Sequence, residues 1–207
     1  MSDKELYLIR HLPTSMNKSG VYMGREHDPE ILKDEVEIKK LIRRIEFIKG
    51  DIDISNPAIF SSPALRCRQT ADLVKDLLGL KDLDAKVEEG LKETDFGEAS
   101  GLTVQQIMEK YPLVGDAWRN KQSKTHFPNG ETYHDVQNRA YQSLENIVET
   151  SKDASAILIF THVDVIKMII FKILDIDIDN KPLLILENGG IAVIALSKDK
   201  LKLKKLI

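Results

Sequence analysis

Three short apolar runs, each breaking abruptly into polar side chains, constrain the fold of this chain more than any other feature. Leu6-Tyr7-Leu8-Ile9 breaks into Arg10-His11, Ala58-Ile59-Phe60 into Ser61-Ser62-Pro63 with Arg66 close behind, and Ala156-Ile157-Leu158-Ile159-Phe160 into Thr161-His162. Runs of this length, apolar at consecutive positions, suit strands buried on both faces of a sheet. Helical spacing lies between and after them: Leu32–Lys49 ahead of Gly50, Ala64–Leu78 ahead of Gly79, a capping-box start at Thr132-Tyr133-His134-Asp135 running to Thr150, and Val163–Leu174. Strands alternating with helices predict an α/β fold with a largely parallel sheet. In such a sheet the three polar breaks meet at one edge, where open α/β proteins hold their ligands. Two histidines (His11, His162) and two arginines (Arg10, Arg66) then share a pocket.

The rest of the chain is less regular. Lys86–Leu91 reads as a further short strand, and Gly190–Leu196 with Lys200–Leu206 as a closing hairpin whose lysines suit an edge strand. Residues 97–130 read as a lid or insertion within a single domain spanning 1–207, with short helices at Thr103–Lys110 and Leu113–Asn120 separated by Pro112. A net charge of −3 gives no reason to expect nucleic acid or an acidic membrane as partner. No apolar run approaches the ~20 residues that span a bilayer, the charged Met-Ser-Asp-Lys-Glu start is unlike a signal peptide, and the single Cys67 fits a reducing compartment; the expectation is a cytoplasmic protein.

The pocket suits phosphate chemistry. A phosphate monoester carries nearly two negative charges, and the planar guanidinium fork meets them with paired, charge-assisted hydrogen bonds. Arg10, Arg66, the Asn17 amide and Thr14 are the expected donors, joined by backbone N–H groups at the helix starts after Ser61–Pro63 and His162. His11 is the candidate nucleophile, because nearby arginines disfavour a protonated imidazole and keep a nitrogen lone pair free. Glu93, between a strand-like run and Gly97, is the candidate acid for the leaving group and base for the water that follows. Cys67 reads as a small buried packing residue, and His27, His126 and His134 as loop or surface residues.

Taken together, these residues resemble the histidine phosphatase superfamily, which includes the cofactor-dependent phosphoglycerate mutases. The family's opening Arg-His-Gly-x-Thr/Ser-x-x-Asn stands here as Arg10-His11-Leu12-Pro13-Thr14-Ser15-Met16-Asn17, its glycine turn as Met23-Gly24-Arg25-Glu26-His27-Asp28, and its Ser-Ser-x-x-x-Arg block as Ser61 to Arg66. Leu91–Gly97, Pro128-Asn129-Gly130-Glu131-Thr132 and Thr161-His162-Val163-Asp164 match the later blocks in order. The resemblance implies a phosphoglycerate mutase-like three-layer α/β/α sandwich with helices on both faces. It also implies a phosphohistidine on His11, Glu93 as proton donor, and phosphoryl binding by Arg10, Asn17, Arg66 and His162, with Thr14, Gly24 and Val163 lining the substrate site. The implied activity is metal-independent hydrolysis of a small phosphorylated metabolite without a cofactor, by a monomer or homodimer. The alternative is a cofactor-dependent phosphoglycerate mutase, which alone would need 2,3-bisphosphoglycerate; a non-catalytic phospholigand-binding domain is a third reading. Thr94-Asp95-Phe96-Gly97 has the phosphatase-like form. Three departures stand out: Leu12 for glycine, expected to crowd the backbone near the phosphate; Val163-Asp164 for Gly-Gly, adding a negative charge; and Ala99-Ser100 for Trp-Glu, expected to alter the substrate wall.

Overall fold

In the computed structural model, which describes residues 4–198 and 200–207, alternation along two central strands decides the architecture. β1 (Lys4–Arg10) sends Leu6 and Leu8 to one face and Tyr7 and Ile9 to the other. After the one-turn α1 (Ser15–Lys18), α2 (Glu35–Lys49) buries Leu41, Ile45 and Ile48 on the second face. It begins three residues later than its apolar spacing suggests, because Asp34 caps it by accepting from the N–H groups of Val36 and Glu37. β2 (Ala58–Ser61) leads into α3 (Leu65–Leu78), which adds Cys67, Ala71 and Val74 to the same face and stops where Gly79 turns left-handed at φ +73°.

β3 is only Lys86–Val87, both exposed; the expected strand to Leu91 instead becomes a 3-10 turn at Glu89–Leu91. α4 (Val104–Lys110) and α5 (Pro112–Asn120) follow. α6 (Tyr133–Thr150) opens on the capping box of Thr132 and Asp135. β4 (Ala156–Thr161) is buried at every residue, and α7 (Val163–Leu174) leaves it directly. β5 (Ile191–Ser197) and β6 (Lys200–Leu206) close the chain as an antiparallel hairpin.

The sheet order is β3-β2-β4-β1-β5-β6, with β1, β2, β3 and β4 parallel and β5 antiparallel to β1. The lysine-rich β6 is an edge, as its alternation suggests. α2 and α3 cover one face; α6 and α7 cover the other, so the three-layer α/β/α sandwich is present. Residues 97–130 do not stand apart: Ile107, Trp118 and Phe127 join the cluster that holds Leu6, Leu8 and Ile159. Among the described residues no helix is long and apolar enough to cross a membrane.

Leu12, just past β1, is fully buried in the cluster formed with α2 and α3. The crowding expected of it near the phosphate is therefore absent: the side chain turns into the core beside Leu41, where glycine would leave a cavity. Leu12→Ala is expected to cost about 2–5 kcal/mol of stability, measured by urea unfolding; a change near zero would place the side chain elsewhere.

Candidate active site

The parallel register brings the polar breaks together. Arg10 stands beside Thr161 and Ser61 beside Phe160. The ladder then continues one residue beyond the strands: His11 N–H donates to the Thr161 carbonyl (3.0 Å) and Ser62 N–H to the Phe160 carbonyl (2.8 Å). The imidazoles of His11 and His162 consequently meet edge to face, with centroids 5.3 Å apart at 66°.

Hydrogen bonding decides which nitrogen of His11 is free. Nδ1 lies 2.7 Å from the Leu12 carbonyl oxygen, which only accepts, so Nδ1 carries the proton and Nε2 keeps its lone pair in the neutral ring. Burial, then the positive charges of Arg66 and Arg10, hold the His11 pKa well below its ordinary value. His162 is held down in the same way by burial and by Arg66. Its Nδ1 faces Arg66 Nη2 at 3.3 Å, so it accepts, and Nε2–H donates to Ser62 Oγ at 2.9 Å. Cys67 is buried as expected, and its Sγ also rests against His162, 3.5 Å from Nε2.

Arg66 is almost wholly buried and donates to the carbonyls of His27 (3.2 Å) and Gly24 (3.3 Å). The tight approach of Gly24, at φ +58°, leaves no room for a Cβ, which would lie 2.6 Å from Ser100 Oγ. Arg10 donates from Nη1 to the Leu186 carbonyl at 2.6 Å. Among the described residues, Nε of Arg10 and of Arg66 are both buried with no acceptor. An unsatisfied buried donor on a charged group is costly, and two of them beside one imidazole pair form a ready anion site.

Glu93 sits on the loop before Gly97, 12 % exposed, with Oε2 3.7 Å from His162 Nδ1. Its loop is clamped from both sides. Arg139 of α6 donates to the carbonyls of Gly90 (2.9 Å), Lys92 (2.7 Å) and Glu93 (3.0 Å), Arg25 Nε donates to the Glu93 carbonyl (2.9 Å), and Glu131 accepts from both arginines. Gly97, at φ +49°, lets this loop touch the Pro128–Gly130 turn, where a Cβ would meet the Pro128 carbonyl oxygen at 2.1 Å. Burial, and next the charge of Asp164, push the Glu93 carboxyl up to about 7.

The expected site residues line two adjoining cavities rather than one. Arg10, His11, Asn17 and Val163 line a cavity of 390 Å³, Arg66 and His162 one of 170 Å³, and Gly24 and Glu93 border both. Asn17 Oδ1 accepts from Thr14 N–H at 3.0 Å, which leaves the amide nitrogen as its donor. Val163 opens α7, whose first N–H groups have no intrahelical partner. Thr14 is corrected: it lies in neither cavity, and its buried hydroxyl caps α1 and contacts Asn17 Oδ1 and Met23 Sδ. The substrate wall is also corrected. Ala99 is buried in the core and Ser100 packs on Gly24, while Phe96 lines the larger cavity.

Sequence patterns did not single out Arg139, nor the buried pair of Asp164 with Lys181 (2.9 Å). Both join residues far apart in the chain; Glu131 of the clamp lies in the Pro128–Thr132 motif, whose pattern carries no sign of that role. The added charge of Asp164 is thus partnered, and Lys181 also donates to Tyr133 Oη at 2.9 Å.

The model of the histidine phosphatase superfamily (branch 1) matches residues 6–207. The chain belongs to this superfamily. A Hydrogenobacter thermophilus protein provisionally named phosphoserine phosphatase 2 is 29 % identical over 95 % of this chain and 92 % of its own. Phosphoserine phosphatase 1 of the same organism is 32 % identical over 69 % of this chain and 64 % of its own. Among solved structures, Bacillus stearothermophilus YhfR superposes with a TM-score of 0.84 at 23 % identity, covering 97 % of this chain and 95 % of that one; it shares the fold.

Asp164→Asn removes a negative charge beside Glu93, so the Glu93 pKa is expected to fall from about 7 toward the ordinary carboxylate range. Carboxyl-carbon NMR titration reads the shift directly, and an unmoved titration would leave burial as its whole cause.

Proposed function

We propose that this superfamily member is a phosphomonoesterase that hydrolyses small phosphorylated metabolites through a phosphohistidine on His11. The observation that carries the reading is the free, unprotonated Nε2 of His11 beside two arginines with orphaned donors. The phosphatases named among its relatives agree with it.

Arg10 and Arg66 hold the phosphoryl oxygens, with Asn17, His162 and the N-terminus of α7 around them. Nε2 attacks phosphorus as the ester oxygen leaves in line, and charge on the transferring group is met by guanidinium groups already in place. A protonated Glu93 gives its proton to the leaving alkoxide. The resulting carboxylate takes a proton from water, whose oxygen attacks the phosphohistidine, and inorganic phosphate departs with His11 neutral again. The arginines supply the positive charge a metal would otherwise bring, so the reaction is expected to proceed in chelator; loss of activity that zinc or magnesium restores would contradict this.

The sign of the pH dependence follows from Glu93. It is the acid form that is needed for alkoxide departure, so with alkyl phosphates turnover limited by that step falls as pH rises through about 7. With p-nitrophenyl phosphate, whose leaving group needs no proton, this fall is absent. Glu93→Gln is expected to cost about 10²–10⁴-fold in kcat/KM with alkyl phosphates and far less with the aryl ester, because kcat/KM reads phosphorylation of His11 and not the later attack of water. Equal losses with both would remove Glu93 from the role of acid.

A further inference from the structure

The phosphate cage occupies only part of the 390 Å³ cavity, whose size is that of a small-metabolite site. Two lysines line the remainder, and they are not equivalent. Lys181 is neutralised: its ammonium is 2.9 Å from Asp164, donates to Tyr133 Oη and lies 4.0 Å from the centre of the Tyr133 ring. The other oxygen of Asp164 accepts from Thr94 Oγ1.

Lys167 differs. It lies on α7, five residues after His162, half-buried, and lines both this cavity and a neighbouring one of 280 Å³ bordered by Tyr22 and Lys181. Its ammonium donates to the Lys181 carbonyl at 3.3 Å. Among the described residues no carboxylate lies within ion-pair distance of it, Asp164 being paired with Lys181 instead. A partly desolvated ammonium without a counter-ion is unfavourable unless an anion reaches it. Burial, and next the charge of Lys181, press its pKa downward against the opposing charge of Asp164.

Resting on the phosphomonoesterase reading of this site, we propose that Lys167 is a specificity residue whose ammonium pairs with a carboxylate on the leaving group, so that the preferred substrates are phosphorylated hydroxy acids. One unpaired positive charge balances one carboxylate. A second phosphate would need guanidinium forks like those of Arg10 and Arg66, and a single ammonium is a point charge without that geometry. Tyr22 and Phe96, lining the same cavity, give the carbon skeleton between the two anions an apolar wall.

The test compares 3-phosphoglycerate with sn-glycerol 3-phosphate, which differ by a carboxylate against a hydroxymethyl. Calorimetric affinities are measured on His11→Ala protein, where turnover does not disturb binding, and kcat/KM for phosphate release on the unmutated enzyme. The expected result is at least tenfold tighter binding of the carboxylate ester, narrowing to under threefold when Lys167→Gln is added and retained with Lys167→Arg. Equal affinities, or a preference that survives Lys167→Gln, would overturn the proposal, as would tighter binding of a bisphosphate such as fructose 1,6-bisphosphate. The two readings fail separately. Binding preference without phosphate release from either ester contradicts the phosphomonoesterase, whereas release of both esters at equal kcat/KM with equal affinities contradicts only the role of Lys167.

Discussion

The parallel register of β1 against β4, with β2 on its far side, is the constraint on which everything else depends. Side chains alternate along a strand, so a slip of one residue would exchange the two faces of the sheet. Leu6 and Leu8 would turn toward α2 and α3, and Tyr7 and Ile9 toward α6 and α7. The same slip would pull His11 away from His162. Burial of both faces makes the register expensive to change, and the active-site geometry inherits that rigidity. Chemistry at the strand ends is therefore positioned by core packing many residues away.

The site concentrates costly groups in a small volume. Two neutral histidines, two guanidinium groups with unsatisfied donors and a carboxyl raised to about 7 lie within one neighbourhood. Each would be destabilising alone, and each has a state suited to phosphoryl transfer. Asp164 has two effects in this arrangement: it neutralises Lys181, and its charge helps keep Glu93 protonated. Lys181 in return anchors the stretch that leads to Leu186, whose carbonyl orients Arg10. The departure that adds a charge next to His162 is thus part of a partnered network.

Much of this was legible in the sequence where local rules govern. The bounds of α7, the capping box of α6 and the three strand ends follow from patterning, and the convergence of Arg10, His11, Arg66 and His162 follows from strand polarity alone. β3 is shorter than its sequence suggests: Val87 and Leu91 look strand-like, but Gly90 is drawn into contact with Ser143 of α6, where a Cβ would lie 2.6 Å from the Ser143 Cβ. Thr14-Ser15-Met16-Asn17 has the spacing of a capping box, and that local role holds the Thr14 hydroxyl that the phosphate motif would use as a donor. The burial of Leu12 is not encoded locally, because the direction of a side chain just past a strand depends on the layer beneath it. The clamp by Arg139, the pairing of Lys181 with Asp164 and the lack of a carboxylate partner for Lys167 among the described residues are tertiary facts, set by which loops face one another, and no local pattern encodes them.

The central claim is that the neutral imidazole of His11, whose Nδ1–H donates to the Leu12 carbonyl, attacks phosphorus through Nε2. Rapid quenching into alkali during turnover of a phosphoryl-labelled ester, followed by peptide mapping and phosphorus NMR, tests it most directly. The account predicts a base-stable, acid-labile phosphoramidate on Nε2 of His11, formed and lost at rates consistent with turnover. Turnover with no label on His11, or with the label on His162, would contradict it.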